Sequence, residues 1–161
     1  MINIIVAVAS NNAIGKDGDL LWHISEDLKY FKQTTLNHIV VMGRKTWQAL
    51  PFKPLKNRRN IIITNNKDFF VENAEIIHSI EDIKKYNEEK EDLFIIGGGT
   101  IYKEFLPYTD KIYLTKVYKD FDADTFFPTI DENKWKEVFK SERKIDDESK
   151  LEYQFFVLER K

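Results

Sequence analysis

Two kinds of hydrophobic pattern divide the chain into a longer first part and a shorter last part. Up to about residue 110, short apolar runs rich in β-branched residues alternate with polar segments that have helix signals. This alternation predicts a mostly parallel sheet whose strands are joined by helices. The predicted strands are residues 2–9, 39–42, 60–64, 75–78 and 93–96, and the predicted helices begin at Ser25, 44, 79 and 100 and include residues up to 35, 50, 90 and 105.

The last part has long runs of aromatic and β-branched residues without good helices between them, at residues 111–118, 135–142 and 152–158. These runs predict strands that join one edge of the sheet, at least one of them antiparallel in a hairpin. No internal repeat, linker or low-complexity segment interrupts the pattern. We therefore predict a single α/β domain over residues 1–161, with a central mixed sheet that is mostly parallel, flanking helices and an antiparallel C-terminal edge strand.

The first predicted helix carries an acid near its apolar side. Ser25 is a suitable N-cap, and acidic residues suit the first turn of a helix. At about 100° per residue, Asp27 lies at the edge of the apolar stripe, whereas Glu26 points away from it. The stripe consists of Ile24, Leu28, Phe31 and Thr35. Two interpretations of Asp27 stay open: an ordinary helix-start acid, or a functional carboxylate in a poorly solvated cleft.

Composition excludes several classes of function. The 161 residues are 42% hydrophobic, which fits one domain with a substantial core. A net charge of −2 gives no overall field that attracts nucleic acid or an anionic membrane. The chain has no cysteine, which excludes disulfides, thiolate nucleophiles and cysteine metal ligands.

The N-terminal segment is apolar and contains the Ala7-Val8-Ala9 triplet, but it lacks a basic region and is too short for a secretory leader. No apolar run is long enough to span a membrane. We expect a buried strand here and a cytoplasmic location. Residues 10–24 contain several glycine, asparagine and aspartate residues, and they predict a long loop of the kind that covers a binding site.

The triple glycine after residues 93–96 is the clearest candidate for ligand binding. Gly97, Gly98 and Gly99 would let the backbone approach a ligand and direct free N–H groups at an anion. The segment is neither a GxGxxG fingerprint, since Tyr102 occupies the third glycine position, nor a P-loop. The alternative is a turn that needs a positive φ, for which one glycine would suffice.

A second turn of the same kind follows residues 39–42. Gly43 is followed there by two cations and a hydroxyl, Arg44, Lys45 and Thr46, at a predicted helix start. This is either a phosphate site or a solvated basic helix start. Both turns would open at the carboxyl ends of parallel strands, where such sheets bind ligands, and together they suggest a dinucleotide with several phosphates.

Other features are weaker. Arg58 and Arg59 could each pair with a carboxylate or phosphate, or be solvated at the surface. The alternating acids Asp120, Asp122 and Asp124 lack the glycine and the closing glutamate of a calcium loop, and the histidines lack ligand spacing. We predict no metal site.

These motifs follow one another as they do in bacterial dihydrofolate reductases, and the chain resembles that family over essentially its whole length. The matching blocks are residues 2–15, 20–31 with Trp22 and Asp27, VMGRKTW at 41–47, NRRNIIIT at 57–64, IIGGGTIY at 95–102, DKIYLT at 110–115, DTFFP at 124–128 and the terminal aromatic strand. The resemblance implies reduction of 7,8-dihydrofolate to tetrahydrofolate with NADPH, in support of one-carbon metabolism and thymidylate synthesis. It also implies binding of antifolates such as trimethoprim.

The resemblance assigns roles to individual residues. Asp27 becomes the single active-site carboxylate, which accepts the two parallel N–H donors of the pterin. Trp22 helps to hold an ordered water, and Thr115 hydrogen-bonds Asp27. Arg58 binds the α-carboxylate of the glutamate tail, and the Gly97–Gly98 peptide is cis.

The resemblance also implies two larger sets of residues, which line the substrate pocket and the cofactor site. The substrate pocket consists of Ile5, Val6, Leu20, Asp27, Leu28, Phe31, Leu50, Leu55, Arg58, Ile96 and Thr115. The cofactor site consists of Ala7, Ile14, Gly43, Arg44, Lys45, Thr46, Thr64, Asn65, Gly97, Gly98, Gly99, Thr100, Ile101 and Tyr102. Of these, Arg44, Lys45 and Asn65 lie where a 2′-phosphate is expected, which favours NADPH over NADH.

Three residues depart from the usual family pattern. Leu21 and Lys56 stand where proline is common, and Ala123 stands where glycine is usual. Two other functions are consistent with the fold: a riboflavin-pathway reductase of the same architecture, and a nucleotide-binding module without catalysis. Trp22 and Asp27 together count against the first, and the presence of the Asp27 carboxylate counts against the second. We expect a monomer.

Overall fold

The computed structural model describes residues 1–88 and 91–161. Its strands are Ile2–Ala9 (β1), Ala13–Gly15 (β2), Ile39–Gly43 (β3), Arg59–Ile63 (β4), Glu75–Ile77 (β5), Leu93–Gly97 (β6), Lys111–Val117 (β7), Thr125–Phe126 (β8), Trp135–Lys140 (β9), Lys144–Ile145 (β10) and Glu152–Arg160 (β11). Its α-helices are Ser25–Thr35 (α1), Arg44–Ala49 (α2), Ile83–Glu88 (α3) and Gly99–Phe105 (α4), with 3₁₀ turns at Ile80–Asp82 and Leu106–Tyr108.

A nine-stranded mixed sheet is the centre of the molecule. Its order is β10-β11-β7-β1-β6-β3-β4-β5, and β9 pairs with the other half of β11. The six strands from β7 to β5 in this order are parallel, whereas β11 pairs antiparallel with β7, β9 and β10. The predicted α/β class, the mostly parallel sheet and the antiparallel C-terminal edge are confirmed.

Helices cover both faces of the sheet, as the continuous apolar runs of the parallel strands require. Even-numbered residues of β1, such as Ile4, contribute to a core that includes Ile83 of α3 and Phe105 of α4. The odd-numbered Ile5 belongs to a second apolar cluster, together with Trp47 of α2. Residues of α1 pack against this second cluster, so α1 and α2 lie on the face opposite α3 and α4.

The helix starts differ from the sequence predictions. Ser25 is the first residue of α1 rather than its N-cap, because the carbonyl of Ile24 already accepts the Leu28 N–H at 3.1 Å. Ser79 precedes a 3₁₀ turn and makes no side-chain cap, since the Asp82 N–H bonds to its carbonyl at 3.2 Å instead. The predicted end of that helix at residue 90 lies outside the described residues.

The 10–24 segment is not entirely a loop. Its strand β2 pairs antiparallel with β8, so that Gly15 lies opposite Thr125. Both strands are too short to show a hydrophobic period, which is why the sequence pattern missed them. Within the two described ranges, no helix has the length and apolar character needed to cross a bilayer.

Candidate active site

A carboxylate with a buried hydrogen-bond partner is found in the first turn of α1. Asp27 is half-buried, and the hydroxyl of Thr115 in β7 donates a hydrogen bond to its Oδ1 at 2.8 Å. Burial raises the pKa of the Asp27 carboxyl, and the hydrogen bond from Thr115 opposes that rise. The predicted position at the edge of the apolar stripe therefore corresponds to a poorly solvated carboxylate, not to an ordinary exposed helix-start acid.

The register of the sheet explains why Thr115 reaches Asp27. Thr115 lies beside Ala7 in the parallel β1–β7 pair and beside Phe155 in the antiparallel β7–β11 pair. Because side chains alternate along a strand, Ala7 and Thr115 face the same side as Ile5. That is the side covered by α1.

An apolar cluster on this face of the sheet contains five residues of the predicted substrate pocket, namely Ile5, Phe31, Leu50, Leu55 and Ile96. The structure therefore brings these residues together on the side where Asp27 lies. Three others are placed differently. Leu20 and Leu28 are 71% and 45% exposed, and the side chain of Val6 belongs to the core on the opposite face. A side-chain contact from Val6 to this cluster is excluded by strand alternation.

The two glycine turns are neighbours at the carboxyl ends of β3 and β6. Met42 pairs with Gly97, and a Cβ built on Gly43 would lie 3.0 Å from Cγ1 of Ile101. A Cβ on Gly98 would lie 3.4 Å from the Thr46 hydroxyl. The Gly97–Gly98 peptide is cis, as the resemblance implied. The two turns that the sequence predicted to bind phosphate are therefore in contact with each other.

Each of the three glycines lies in a different local environment. Gly97 has φ +134°, which favours glycine, and Gly98 lies against Thr46. A Cβ on Gly99 would lie only 2.6 Å from Cγ2 of Thr125 in β8. A positive φ at Gly97 and side-chain packing at Gly98 and Gly99 therefore account for part of a motif that the sequence predicts to be either a ligand site or a turn with positive φ.

Other residues of the predicted cofactor site surround these turns. Arg44, Thr46 and Thr64 are half-buried, whereas Lys45, Asn65 and Thr100 are exposed. Ile14 of β2 packs near Gly99, at 3.9 Å from its built Cβ. Tyr102 is buried, and its hydroxyl donates to the carbonyl of Ile5 at 2.8 Å.

The structure separates the two arginines that the sequence left equivalent. Arg59 forms two hydrogen bonds to the carboxylate of Glu75, at 2.5 and 2.8 Å. Arg58 donates to the Lys56 carbonyl at 2.9 Å and to the Thr35 hydroxyl at 3.2 Å. No carboxylate of the described residues forms an ion pair with Arg58, so its guanidinium is the one available for an external anion.

Comparisons with known proteins identify the family of this chain. The family model described as dihydrofolate reductase matches residues 1–160. The dihydrofolate reductase of Staphylococcus haemolyticus is 43% identical over 159 residues, covering 99% of this chain and 95% of that protein. The dihydrofolate reductase of Bacillus subtilis is 38% identical over 161 residues, covering 100% of this chain and 95% of that protein. The chain belongs to the dihydrofolate reductase family.

A solved structure agrees with this dihydrofolate reductase fold. The dihydrofolate reductase from Enterococcus faecalis, complexed with NADP(H) and RAB-propyl, matches with a TM-score of 0.91 and 34% sequence identity. The match covers 99% of this chain and 96% of that one. The resemblance to the family stated from the sequence is confirmed.

One aromatic contact and one loop contact, from residues 17 and 22 to residues 124 and 121, were not predicted from the sequence. Trp22 packs against Phe121, with ring centroids 5.1 Å apart. Asp124 accepts the backbone N–H of Asp17 at 2.8 Å, and Ala123 does not prevent this contact. Asp124 belongs to the DTFFP block, whereas Phe121 lies outside it, and contacts separated by about a hundred residues leave no local pattern.

The close contact at Gly99 gives a testable prediction about this dihydrofolate reductase fold. Gly99→Ala is expected to lower the free energy of unfolding by about 1–3 kcal/mol, because its methyl overlaps the Thr125 methyl. Thr125→Ser removes that methyl and keeps the hydroxyl that donates to Asp124 at 2.8 Å. The double variant should therefore recover most of the loss in a thermal melt.

Gly98→Ala is the matched control, since its nearest neighbour is the Thr46 hydroxyl at 3.4 Å rather than a methyl group at 2.6 Å. It should destabilise the protein less than Gly99→Ala. If Thr125→Ser gives no recovery, the contact between Gly99 and Thr125 does not explain the loss.

Proposed function

We propose that this protein reduces 7,8-dihydrofolate to 5,6,7,8-tetrahydrofolate in an NADPH-dependent reaction, with Asp27 orienting the pterin and promoting protonation of N5 through water. The observation that carries the proposal is the half-buried Asp27 carboxylate, bonded to Thr115 in a dihydrofolate reductase fold. The name of the family supports the reaction. The geometry around Asp27 supports the role of the residue.

The role of Asp27 follows from its charge and its surroundings. A pterin ring presents its 2-amino group and N3–H as two parallel donors, and a carboxylate accepts both. Thr115 occupies Oδ1 from the β7 side and fixes the orientation of the carboxylate. The apolar cluster containing Ile5, Phe31 and Ile96 suits the face of a planar ring.

Protonation at N5 must accompany the reduction, and water is the proposed carrier. A carboxyl group whose pKa is raised by burial binds a proton more readily near neutral pH than an exposed carboxyl group does. Trp22, next to the start of α1 and packed on Phe121, is proposed to position that water. Holding the reacting groups together lowers the entropic part of the barrier.

The residues around the glycine turns fit NADPH by their chemistry. The two turns lie side by side at the carboxyl ends of β3 and β6, and Arg44 and Lys45 provide two cations beside them. Arg44, Lys45 and Asn65 are proposed to bind the 2′-phosphate, which discriminates NADPH from NADH. When bound, NADPH supplies the hydride, and the Enterococcus faecalis protein named above was solved with NADP(H).

The proposal includes a cellular context. Tetrahydrofolate production would support one-carbon metabolism and thymidylate synthesis, and antifolates such as trimethoprim would bind the pocket at Asp27. We also propose a cytoplasmic monomer.

Steady-state assays of the purified protein test the reaction. Oxidation of NADPH in the presence of dihydrofolate should be rapid, and NADH should support a much lower kcat/KM. A ribosylaminopyrimidine of the riboflavin pathway should not be reduced. Reduction of that pyrimidine without reduction of dihydrofolate would overturn the substrate assignment, and equal use of NADH would overturn the proposed 2′-phosphate site.

Thr115→Val tests the proposed orientation of Asp27. The variant removes the hydrogen bond that lowers the pKa of Asp27, so the inflection in the pH profile of kcat/KM should move to higher pH. The free energy of unfolding should fall by about 1–3 kcal/mol, because a buried acceptor loses its donor.

The matched control is Thr109→Val. Thr109 is also buried, and its hydroxyl donates at 2.8 Å to the carbonyl of Phe105, which belongs to the core on the sheet face opposite Asp27. This variant should lose similar stability and leave the pH profile unchanged. A profile that moves equally in both variants would show that the effect is not specific to Asp27.

A further inference from the structure

A tight turn forms part of the 10–24 segment. The N–H of Lys16 donates to the Asp19 carbonyl at 3.1 Å, and the N–H of Asp19 donates back to the Lys16 carbonyl at 3.0 Å. The two residues between them, Asp17 and Gly18, have φ of +53° and +77°. Two central residues with positive φ define a type I′ hairpin turn, for which Asp-Gly is a preferred pair.

The peptide bond between Asp17 and Gly18 is exposed to solvent. Both residues are exposed, and apart from Gly18 itself and the adjacent Asp17 and Asp19 no atom of the described residues lies within 4 Å of a Cβ built on Gly18. No hydrogen bond to a described residue engages the Gly18 N–H. The same bond is the only Asp-Gly pair in the sequence, which contains no Asn-Gly pair.

We propose that Asp17 is a site of spontaneous modification, at which the main chain isomerises through a succinimide to isoaspartate. Glycine favours this step because it has no side chain to hinder the approach of its nitrogen. The hydrogen bonds that hold the turn, two between Lys16 and Asp19 and one from the Asp17 N–H to Asp124, lie at the surface, so its local opening requires little loss of packing. Local opening lets the Gly18 nitrogen reach the side chain of Asp17.

The chemistry needs only water. The Gly18 nitrogen loses its proton and bonds to Cγ of Asp17, whose carboxyl hydroxyl leaves as water, and a five-membered imide results. Water then adds to one of the two carbonyl carbons and breaks its bond to the Gly18 nitrogen. Addition at Cγ restores aspartate, whereas addition at the main-chain carbonyl leaves the chain connected through Cγ. No oxidant or reductant takes part.

The modification changes the turn and its contact with β8. An isoaspartyl linkage inserts one methylene into the main chain, so a two-residue turn can no longer keep both bonds between Lys16 and Asp19. The N–H of Asp17 also donates to Oδ2 of Asp124 at 2.8 Å, and Lys16 forms an ion pair with Asp122. We expect the isoaspartyl form to hold the β2–β8 pair less firmly.

Ageing of the folded protein tests the proposal. The wild-type protein and Asp17→Glu are incubated in neutral buffer at 37 °C, and isoaspartate is located by peptide mapping with electron-transfer fragmentation. Labelling with an isoaspartyl methyltransferase measures the total isoaspartate content of each sample. Isoaspartate should accumulate at Asp17 severalfold faster than at Asp19 or Asp124, whose following residues are Leu20 and Thr125. Asp17→Glu should remain at background, because glutamate would need a six-membered ring.

A synthetic peptide of residues 13–22 provides the unfolded reference. If the peptide isomerises while Asp17 of the protein stays at the level of Asp19, the turn protects the bond and the proposal is wrong. Amide hydrogen exchange of the aged wild-type protein should be faster in β2 and β8 than in fresh protein. Unchanged exchange at high isoaspartate content would overturn the proposed structural consequence.

Discussion

Asp27→Asn is expected to lower kcat/KM for dihydrofolate at neutral pH by about 10²–10⁴-fold, the range that acid–base groups typically contribute. Asparagine keeps the shape of the side chain and can still accept the bond from Thr115 through its oxygen. Its amide would then present donors to the two donors of the pterin. The variant loses the ionisable group and the charge that favours the correct orientation of the ring.

Glu26→Gln is the matched control for this variant. Glu26 is the preceding acid of the same helical turn, but it is exposed and points away from the apolar side. Its replacement should leave kcat/KM within about twofold of wild type, as for other surface substitutions. The pH profile of Asp27→Asn should lack the inflection assigned to Asp27. A variant that retains the wild-type rate would contradict the assigned role.

Asp27→Asn is expected to lower the activity but to raise the stability of the folded protein at neutral pH. Burial raises the pKa of Asp27 in the folded chain above its value in the unfolded chain, which is about 3.9. Between these two pKa values the folded chain binds more protons, so its stability falls as the pH rises through that window. At neutral pH, Asp27→Asn should therefore melt at a higher temperature than wild type, and this gain should shrink below about pH 4.

The sheet was the most predictable part of the molecule. The parallel strands are continuous apolar runs because helices cover both faces, so each strand is visible in the sequence by itself. All five strands predicted up to residue 96 are confirmed, as are those at residues 111–118, 135–142 and 152–158, with ends that differ by one or two residues. Strands β2, β8 and β10 are two or three residues long, and their existence depends on a partner rather than on a hydrophobic period.

The candidate active site was predictable only in part. The helical wheel placed Asp27 at the edge of the buried stripe, but it also placed Leu28 within the stripe, where the structure leaves that side chain 45% exposed. A wheel locates a face without showing how far the sheet extends beneath it. The partnership of Asp27 with Thr115 came from the resemblance, because no local pattern connects residues 88 positions apart.

The arginines illustrate a different limit. Arg58 and Arg59 are adjacent and chemically identical, so no sequence pattern distinguishes their roles. Arg59 is the first residue of β4, and the β4–β5 pair places it near Glu75, whereas Arg58 precedes the strand and bonds to Lys56 and Thr35. Only the three-dimensional arrangement shows which guanidinium already has a carboxylate partner.

Arg58→Gln is expected to raise KM for dihydrofolate by about 10- to 100-fold, because a charge-assisted hydrogen bond contributes about 1.5–3 kcal/mol. The kcat should change little, since the glutamate tail is remote from the reacting ring and its binding is the same in the ground and transition states. Burial lowers the pKa of the Arg58 guanidinium, but an arginine side chain stays charged at neutral pH.

Arg59→Gln is the matched control, because Arg59 is the neighbouring guanidinium and its two hydrogen bonds to Glu75 are already formed within the chain. It should leave KM near the wild-type value. A dihydropterin without the glutamyl carboxylate provides the second comparison. Arg58→Gln should leave the KM for this truncated substrate unchanged. If KM for this truncated substrate also rises by the same factor, Arg58 acts through its contacts with Thr35 and Lys56 rather than by binding the tail.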